Sequence, residues 1–205
     1  MKVKICGVKD VYATREAVKA GADFIGFMFA ESKRKITIEK AKELASYVPE
    51  MVNKVGVFVN PPLEELISTI EEVGLDMVQL HGDETPAYCQ RVPVPVIKAF
   101  PIKEKLDIHR AESFSVDYFL FDSPGGKYRG GNGMAFDWKM LRNIEISREK
   151  VIVAGGLTPS NVGAAIKELN PAIVDVSSGV ETNGVKDAKK IKAFIHQAKS
   201  KERGS

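Results

Sequence analysis

Apolar positions along this chain fall into short β-rich runs, and behind most of them the spacing lengthens from two residues to between three and four, as on an amphipathic helix. The runs are VKIC at 3–6, FIGFMF at 24–29, KVGVFV at 54–59, DMVQL at 76–80, VPVIKA at 94–99, DYFLF at 117–121, KVIVA at 150–154 and AIVDV at 172–176. After the first, a helical stretch passes through Glu16 and Ala20 and ends at Gly21. Eight strand-then-helix repeats of about 25 residues predict an α/β fold, a single (β/α)8 TIM barrel, rather than an open doubly wound sheet, which usually has fewer strands at this length. The pattern is weakest near 103–113, where a helix is still expected. PGGKYRGGNG, 124–133, holds five glycines in ten residues and reads as a mobile loop after strand six.

In a closed barrel, outward side chains pack on helices and inward ones fill the interior, so parity along each strand assigns the faces. Val3 and Ile5 go outward in strand one, leaving Lys2, Lys4 and Cys6 inward. Strand six turns Phe119 and Phe121 outward and Tyr118, Leu120 and Asp122 inward; strand eight turns Val174 and Val176 outward and Asp175 inward. Closure makes strands one and eight neighbours, so Lys4 and Asp175 are expected to form a buried ion pair, since an unpaired interior charge costs several kcal/mol or more.

Length and composition narrow the picture. At 205 residues and 44% apolar content the chain can bury one substantial core, and residues 1–205 are expected to form one domain. Thirty basic against twenty-seven acidic residues, without a long run of like charge, point to no nucleic-acid and no membrane partner. No stretch reaches the roughly 18 apolar residues of a membrane span, and the first strand begins at once, which argues against a signal peptide. The two cysteines, Cys6 and Cys89, have no metal-type spacing and fall in separate elements, so a reducing cytoplasm fits better than a disulfide framework.

Reactive groups of barrel enzymes sit at the C-terminal strand ends. Here those ends carry Cys6, Asn60, His81, Asp122, Gly155-Gly156 and Ser177-Ser178-Gly179, with Arg34 just beyond strand two. GGLTPSN after strand seven and SSG after strand eight together describe a phosphate cradle: the glycines admit close backbone approach, Thr158-Pro159 reads as a helix start, and Ser177 to Gly179 as a short extra helix. Taken singly, either segment could be a plain strand-to-helix turn. Cys6 alone reads as a small buried hydrophobe; its shared face with Lys4 instead favours the thiolate, which predicts a lowered pKa and a base near neutrality.

Asp122 precedes the glycine loop, whose closure would desolvate it and raise its pKa toward a usable general acid; the plain alternative is a turn residue before Ser123-Pro124. Strands one and six are three apart around the ring, so Cys6 and Asp122 could reach one substrate from different sides. Arg34, in the charged loop AESKRKIT, could grip a carboxylate in bidentate fashion. His81 in QLHGDE lines the pocket or orients the loop before a helix starting near Asp83. With no metal-ligand cluster and no dinucleotide fingerprint, neither metal nor cofactor is expected.

KICG, GADFIGFMF, the Ser32/Arg34 loop, VGVFVN, VQLHGDE, LFDS, GGNGMAFDW, AGGLTPSNV and VDVSSGVE occur in order across roughly residues 3 to 195, and the set closely resembles the phosphoribosylanthranilate isomerases of tryptophan biosynthesis. Departures are Lys9, where threonine is usual, and Lys33, where many members have proline; the second bears on how rigidly Arg34 is held. The resemblance implies an Amadori rearrangement of N-(5-phosphoribosyl)anthranilate to 1-(2-carboxyphenylamino)-1-deoxyribulose 5-phosphate. It casts Asp122 as the acid, Cys6 as the base, and Arg34 at the anthranilate carboxylate. Gly155, Gly156, Ser177, Ser178 and Gly179 take the phosphate, with His81 and Asp175 counted among the substrate-binding residues. The partner is then this small phosphoribosylated molecule, and the enzyme a monomer or homodimer.

Three alternatives stand beside it. Indole-glycerol-phosphate synthase would need an added N-terminal segment and inward catalytic lysines, and the histidine-pathway sugar isomerase an aspartate where Cys6 stands. A phosphate-binding barrel without chemistry would bind a product analogue yet leave the fluorescence of substrate unchanged.

Overall fold

In a computed structural model, which describes residues 1–102, 105–122, 141 and 144–200, eight parallel strands close into a barrel. They are β1 (Lys2–Cys6), β2 (Phe24–Met28), β3 (Asn53–Phe58), β4 (Met77–Leu80), β5 (Val96–Pro101), β6 (Tyr118–Asp122), β7 (Val151–Val153) and β8 (Ile173–Val176). Pairing of β1 with β8 closes the ring and sets Lys4 opposite Asp175. The helices α1 (Val11–Ala20), α2 (Ile38–Ala45), α3 (Leu63–Val73), α4 (Pro86–Cys89), α5 (Lys105–Glu112), α6 (Val162–Leu169) and α7 (Ala188–Lys199) lie along the chain between and after them. The (β/α)8 TIM barrel expected from the patterning is therefore the observed fold.

Parity separates two cores, as expected. Val3, Ile5, Phe119, Phe121, Val174 and Val176 belong to the larger cluster packed against the helices. Phe24, Val55, Met77, Ile97, Leu120, Ile152 and Ile173 form a second cluster that fills the barrel interior, with Tyr118 packed against it. Chain connectivity then fixes which end of the interior is polar, because the strand-to-helix loops lie at the C-terminal ends.

Local chemistry sets the element ends. Asp10 caps α1 by accepting from the Ala13 N–H at 2.8 Å, and Gly21 ends it at φ 94°, a left-handed conformation that glycine adopts without Cβ strain. Strand five begins two residues later than expected, at Val96, because Pro93 and Pro95 have no N–H to contribute to a ladder. Two helix starts also differ. α4 begins after Thr85, whose hydroxyl accepts from the Tyr88 N–H, because the Glu84 carboxylate bonds back to Gly82 and keeps Asp83 out of the helix. Thr158-Pro159 belongs to a turn, because the Asn161 side chain takes the Thr158 N–H at 2.7 Å and α6 starts only at Val162. The glycine segment 124–133 lies outside the described residues. Among those described, no helix is long and apolar enough to cross a membrane.

Candidate active site

Cys6 and Asp122 end β1 and β6 at the polar rim, both inside the barrel and both buried. Cys6 belongs to neither apolar cluster; its thiol feels the charges of Lys4, Asp175 and Lys186. Space for the thiol is made by Gly26, its neighbour across the β1–β2 ladder, where a Cβ would lie 2.8 Å from Sγ. Gly7 turns the chain directly after Cys6 at φ 75°, and a Cβ there would lie 2.5 Å from the Arg34 Cδ. The glycine behind the cysteine is thus what lets the Arg34 stem cross beside the thiol.

Beneath them runs a chain of polar groups. The Lys4 ammonium, fully buried, donates to Asp175 Oδ1 at 3.1 Å and to Gln79 Oε1 at 2.8 Å. Because an ammonium can only donate, the Gln79 oxygen faces Lys4 and its amide group faces His81 Nδ1 at 3.2 Å. His81 Nδ1 accepts, so the neutral ring carries its proton on Nε2, which points toward Asp122 Oδ2 at 3.7 Å. That separation exceeds hydrogen-bond length. Groups from β8, β1, β4 and β6 are so brought into one line.

Electrostatics depart from expectation at the thiol. Burial alone disfavours the thiolate and Asp175 adds a like charge; Lys4 and Lys186 oppose them without prevailing, so the Cys6 pKa stands above the usual thiol value, not below it. Parity had located the lysine but not the aspartate's share or the cost of removing the thiolate from water. For Lys4, burial again works against charge, but Asp175 and Cys6 together overcome it and hold the ammonium above its ordinary pKa.

The segments that follow β7 and β8 meet. Asp122, Gly155, Gly156, Asp175, Ser177, Ser178 and Gly179 line one small recess. Gly155 and Gly156 take left-handed φ values of 78° and 65°. A Cβ on Gly179 would collide with the Leu157 carbonyl, so glycine is what allows the two loops to touch. Asn161 clamps the first loop through the Gly156 carbonyl at 2.9 Å. Ser177 to Gly179 do lead into a short 3-10 helix, Ser178–Val180. A larger hollow of about 430 Å³ lies between α2 and α3 and holds none of the strand-end candidates except Asn60.

Arg34 sits at the rim, but its guanidinium is already engaged. Nε and Nη2 donate to the two Glu181 oxygens at 2.6 and 2.8 Å. Glu181 also receives Lys186 at 2.7 Å, and Lys186 donates to the Ser177 carbonyl at 3.0 Å. Ser32 Oγ accepts the Arg34 N–H at 3.0 Å, which braces the loop without a proline at 33. Lys9 and Lys33, the two departures from the family pattern, meet: the Lys9 ammonium donates to the Lys33 carbonyl at 3.3 Å.

Gln79, Glu181 and Lys186 were not singled out as site residues, although the quoted VQLHGDE and VDVSSGVE contain the first two. Inward parity would have marked Gln79, between Met77 and the strand end; nothing local marks the other two. Asn60, noted at its strand end, turns out to serve the β4 loop, where its side-chain oxygen accepts the Asp83 N–H at 2.7 Å. Among the described residues no group of His, Cys, Asp and Glu could hold a metal.

The profile of the family described as N-(5'phosphoribosyl)anthranilate (PRA) isomerase matches residues 3–197. The N-(5'-phosphoribosyl)anthranilate isomerase of Bacillus mycoides (strain KBAB4) is 52% identical over 200 residues, covering 97% of this chain and 98% of that protein. That of Listeria monocytogenes serotype 4a (strain HCC23) is 50% identical over 202 residues, 98% of this chain and all of the relative. The crystal structure of phosphoribosyl anthranilate isomerase from Thermotoga maritima superposes with TM-score 0.88 at 37% identity, covering 98% of this chain and 99% of that one. A phosphoribosyl anthranilate isomerase solved in complex with reduced 1-(o-carboxyphenylamino)-1-deoxyribulose 5-phosphate superposes at 0.85 with 36% identity, again over 98% and 99%. The profile and these relatives span nearly the whole length, and this chain belongs to the N-(5'-phosphoribosyl)anthranilate isomerase family.

Proposed function

We propose that this chain isomerises N-(5-phosphoribosyl)anthranilate to 1-(2-carboxyphenylamino)-1-deoxyribulose 5-phosphate, a step of tryptophan biosynthesis, with Asp122 as general acid and Cys6 as general base. Protonated Asp122 gives its proton to the ribose ring oxygen; the C1–O bond breaks, and the anthranilate nitrogen lone pair forms a C1=N iminium. The Cys6 thiolate then takes the C2 proton, and those electrons collapse to a C1–C2 enolamine. Tautomerisation of the enolamine gives the C2 ketone. In the resting site burial outweighs the lysines at Cys6; the iminium cation formed beside it in the first step favours the thiolate, the thiol giving its proton to solvent before it takes the one from C2. The phosphate is held by Gly155, Gly156, Ser177, Ser178 and Gly179, the carboxylate by Arg34. His81 and Asp175 bound the sugar, Asp175 also keeping Lys4 charged under the thiol.

The observation that carries this reading is the arrival of Cys6 and Asp122 on the inward face of one rim, with Asp122 in the same recess as both phosphate segments. Proton transfer by a placed side chain typically contributes about 10² to 10⁴ in rate. Cys6→Ala and Asp122→Asn should each lower turnover by at least about 10² with little change in affinity for inorganic phosphate. A progress curve of anthranilate-type fluorescence, with substrate generated in place, measures this. Wild-type-like turnover in either purified variant removes that residue from the mechanism.

A further inference from the structure

Glu181 and Lys186 belong to a two-stranded hairpin, Glu181–Thr182 with Val185–Lys186, that follows directly on the short helix Ser178–Val180. Neither touches the proposed proton-transfer atoms by hydrogen bond. From their geometry we infer that Glu181 is a positioning residue for carboxylate recognition: by taking the Nε/Nη2 edge of Arg34 it leaves the Nη1 end of the guanidinium to receive the substrate's carboxylate, and Lys186 ties that clamp to Ser177. The inference rests on the reading of Arg34 given above.

Planar guanidinium groups have two edges that match a carboxylate, and a long arginine side chain loses rotamer entropy each time it must select one. Here the selection is made in advance. Glu181 binds side-on through both oxygens, the Arg34 stem lies against Gly7, and Nη1 makes no hydrogen bond among the described residues. Two anions on one arginine would repel, but Lys186 supplies a second cation to Glu181. Burial works against the Glu181 charge, yet Arg34 and Lys186 together bring its pKa to about 2, so it stays ionised at any working pH. Lys186 also donates to the Ser177 carbonyl, and the Ser177 hydroxyl donates to the Cys6 carbonyl at 3.0 Å. One hairpin thereby links the carboxylate clamp, the phosphate turn and the strand that carries the base.

The test compares two substrates, N-(5-phosphoribosyl)anthranilate and the same molecule without its carboxylate, N-(5-phosphoribosyl)aniline, in the native enzyme, Glu181→Gln and Arg34→Lys. Native enzyme should prefer the carboxylate-bearing substrate in kcat/KM. Arg34→Lys should lower that preference at least about tenfold, and Glu181→Gln about tenfold, mainly through KM, as expected when a charged hydrogen-bond partner stops orienting its mate. Because the preference is a ratio within one preparation, partial misfolding cancels. Equal losses on both substrates in Glu181→Gln would make the residue merely structural and overturn the inference, as would an undiminished preference. Arg34→Lys keeping the full preference would instead overturn the assignment of Arg34, and the role of Glu181 with it.

Discussion

Lys4 and Lys98 are both buried lysines on barrel strands, and each lies 3.1 Å from a carboxylate, Asp175 for the first and Glu84 for the second. Their pKa values nevertheless move in opposite directions. Lys4 faces the interior, where Asp175 and Cys6 add enough negative field to overcome burial. Lys98 lies among the larger, helix-facing core, near the faces of Phe100 and Phe114 at 5.3 and 6.0 Å; burial lowers its pKa, Glu84 only partly restores it, and Arg110 adds a like charge. The ammonium also lies within hydrogen-bond distance of the carbonyls of Leu80, Gly82 and Ala99, which share its other donors. The same ion-pair length therefore does two jobs. Around Lys4 it holds a charge beneath the buried Cys6 thiol; around Lys98 it pins the loop after β4 to β5.

The largest effect that would test this contrast is on stability. Lys98→Met strands the Glu84 carboxylate in the core and should cost about 3–5 kcal/mol, read from urea unfolding, while turnover of the folded fraction falls by no more than about tenfold. A loss below about 1 kcal/mol would mean that the pair is not shielded from water. Lys4→Met should do the reverse kinetically, lowering kcat by about 10², because the thiol loses its nearest cation and Asp175 its partner. Turnover equal to that of Lys98→Met would erase the distinction between the two centres.

A smaller effect concerns Cys6 itself. Its raised pKa predicts that alkylation by iodoacetamide, followed by peptide mass, still accelerates above pH 9.0, the ordinary thiol value here, and is slower again in Lys4→Met. A rate that levels off below that pH would restore the expectation of a lowered pKa. Smallest is the alkaline stability of the two centres, whose signs differ. Lys98 has a folded-state pKa below 10.5, so the unfolded chain binds more protons just below that pH and its contribution to stability rises as pH climbs toward 10.5. Lys4 has a folded-state pKa above 10.5, so its contribution is fully present below that value and is lost as pH rises through the folded pKa. Urea midpoints of native protein and each variant across this range check both slopes.

Much of the site was legible because barrel architecture converts a strand's parity and end into a position. Cys6, Asp122 and Asp175 follow from strand faces, and the Lys4–Asp175 pair follows from closure alone. Gly155, Gly156 and Gly179 were legible as backbone positions, though only the packing reveals that Gly179 is forced by the Leu157 carbonyl. Arg34 was legible as a residue type in a loop, but its carboxylate partner from 147 residues away was not. Lys98 was hidden for a related reason: parity sends it outward into the apolar layer beneath the helices, and only the fold of the β4 loop brings Glu84 over it.

By itself, then, the order of residues determined the eight strands, which side of each faces inward, and which groups stand at the reactive rim, because alternation and strand ends are local properties that a closed ring turns directly into geometry. Tertiary structure alone decided the protonation balance at Cys6, the direction in which His81 holds its proton, and the edge of Arg34 that Glu181 takes. Each of these is a sum over charges and hydrogen bonds from distant segments, weighed against the loss of water, and no stretch of sequence contains that sum.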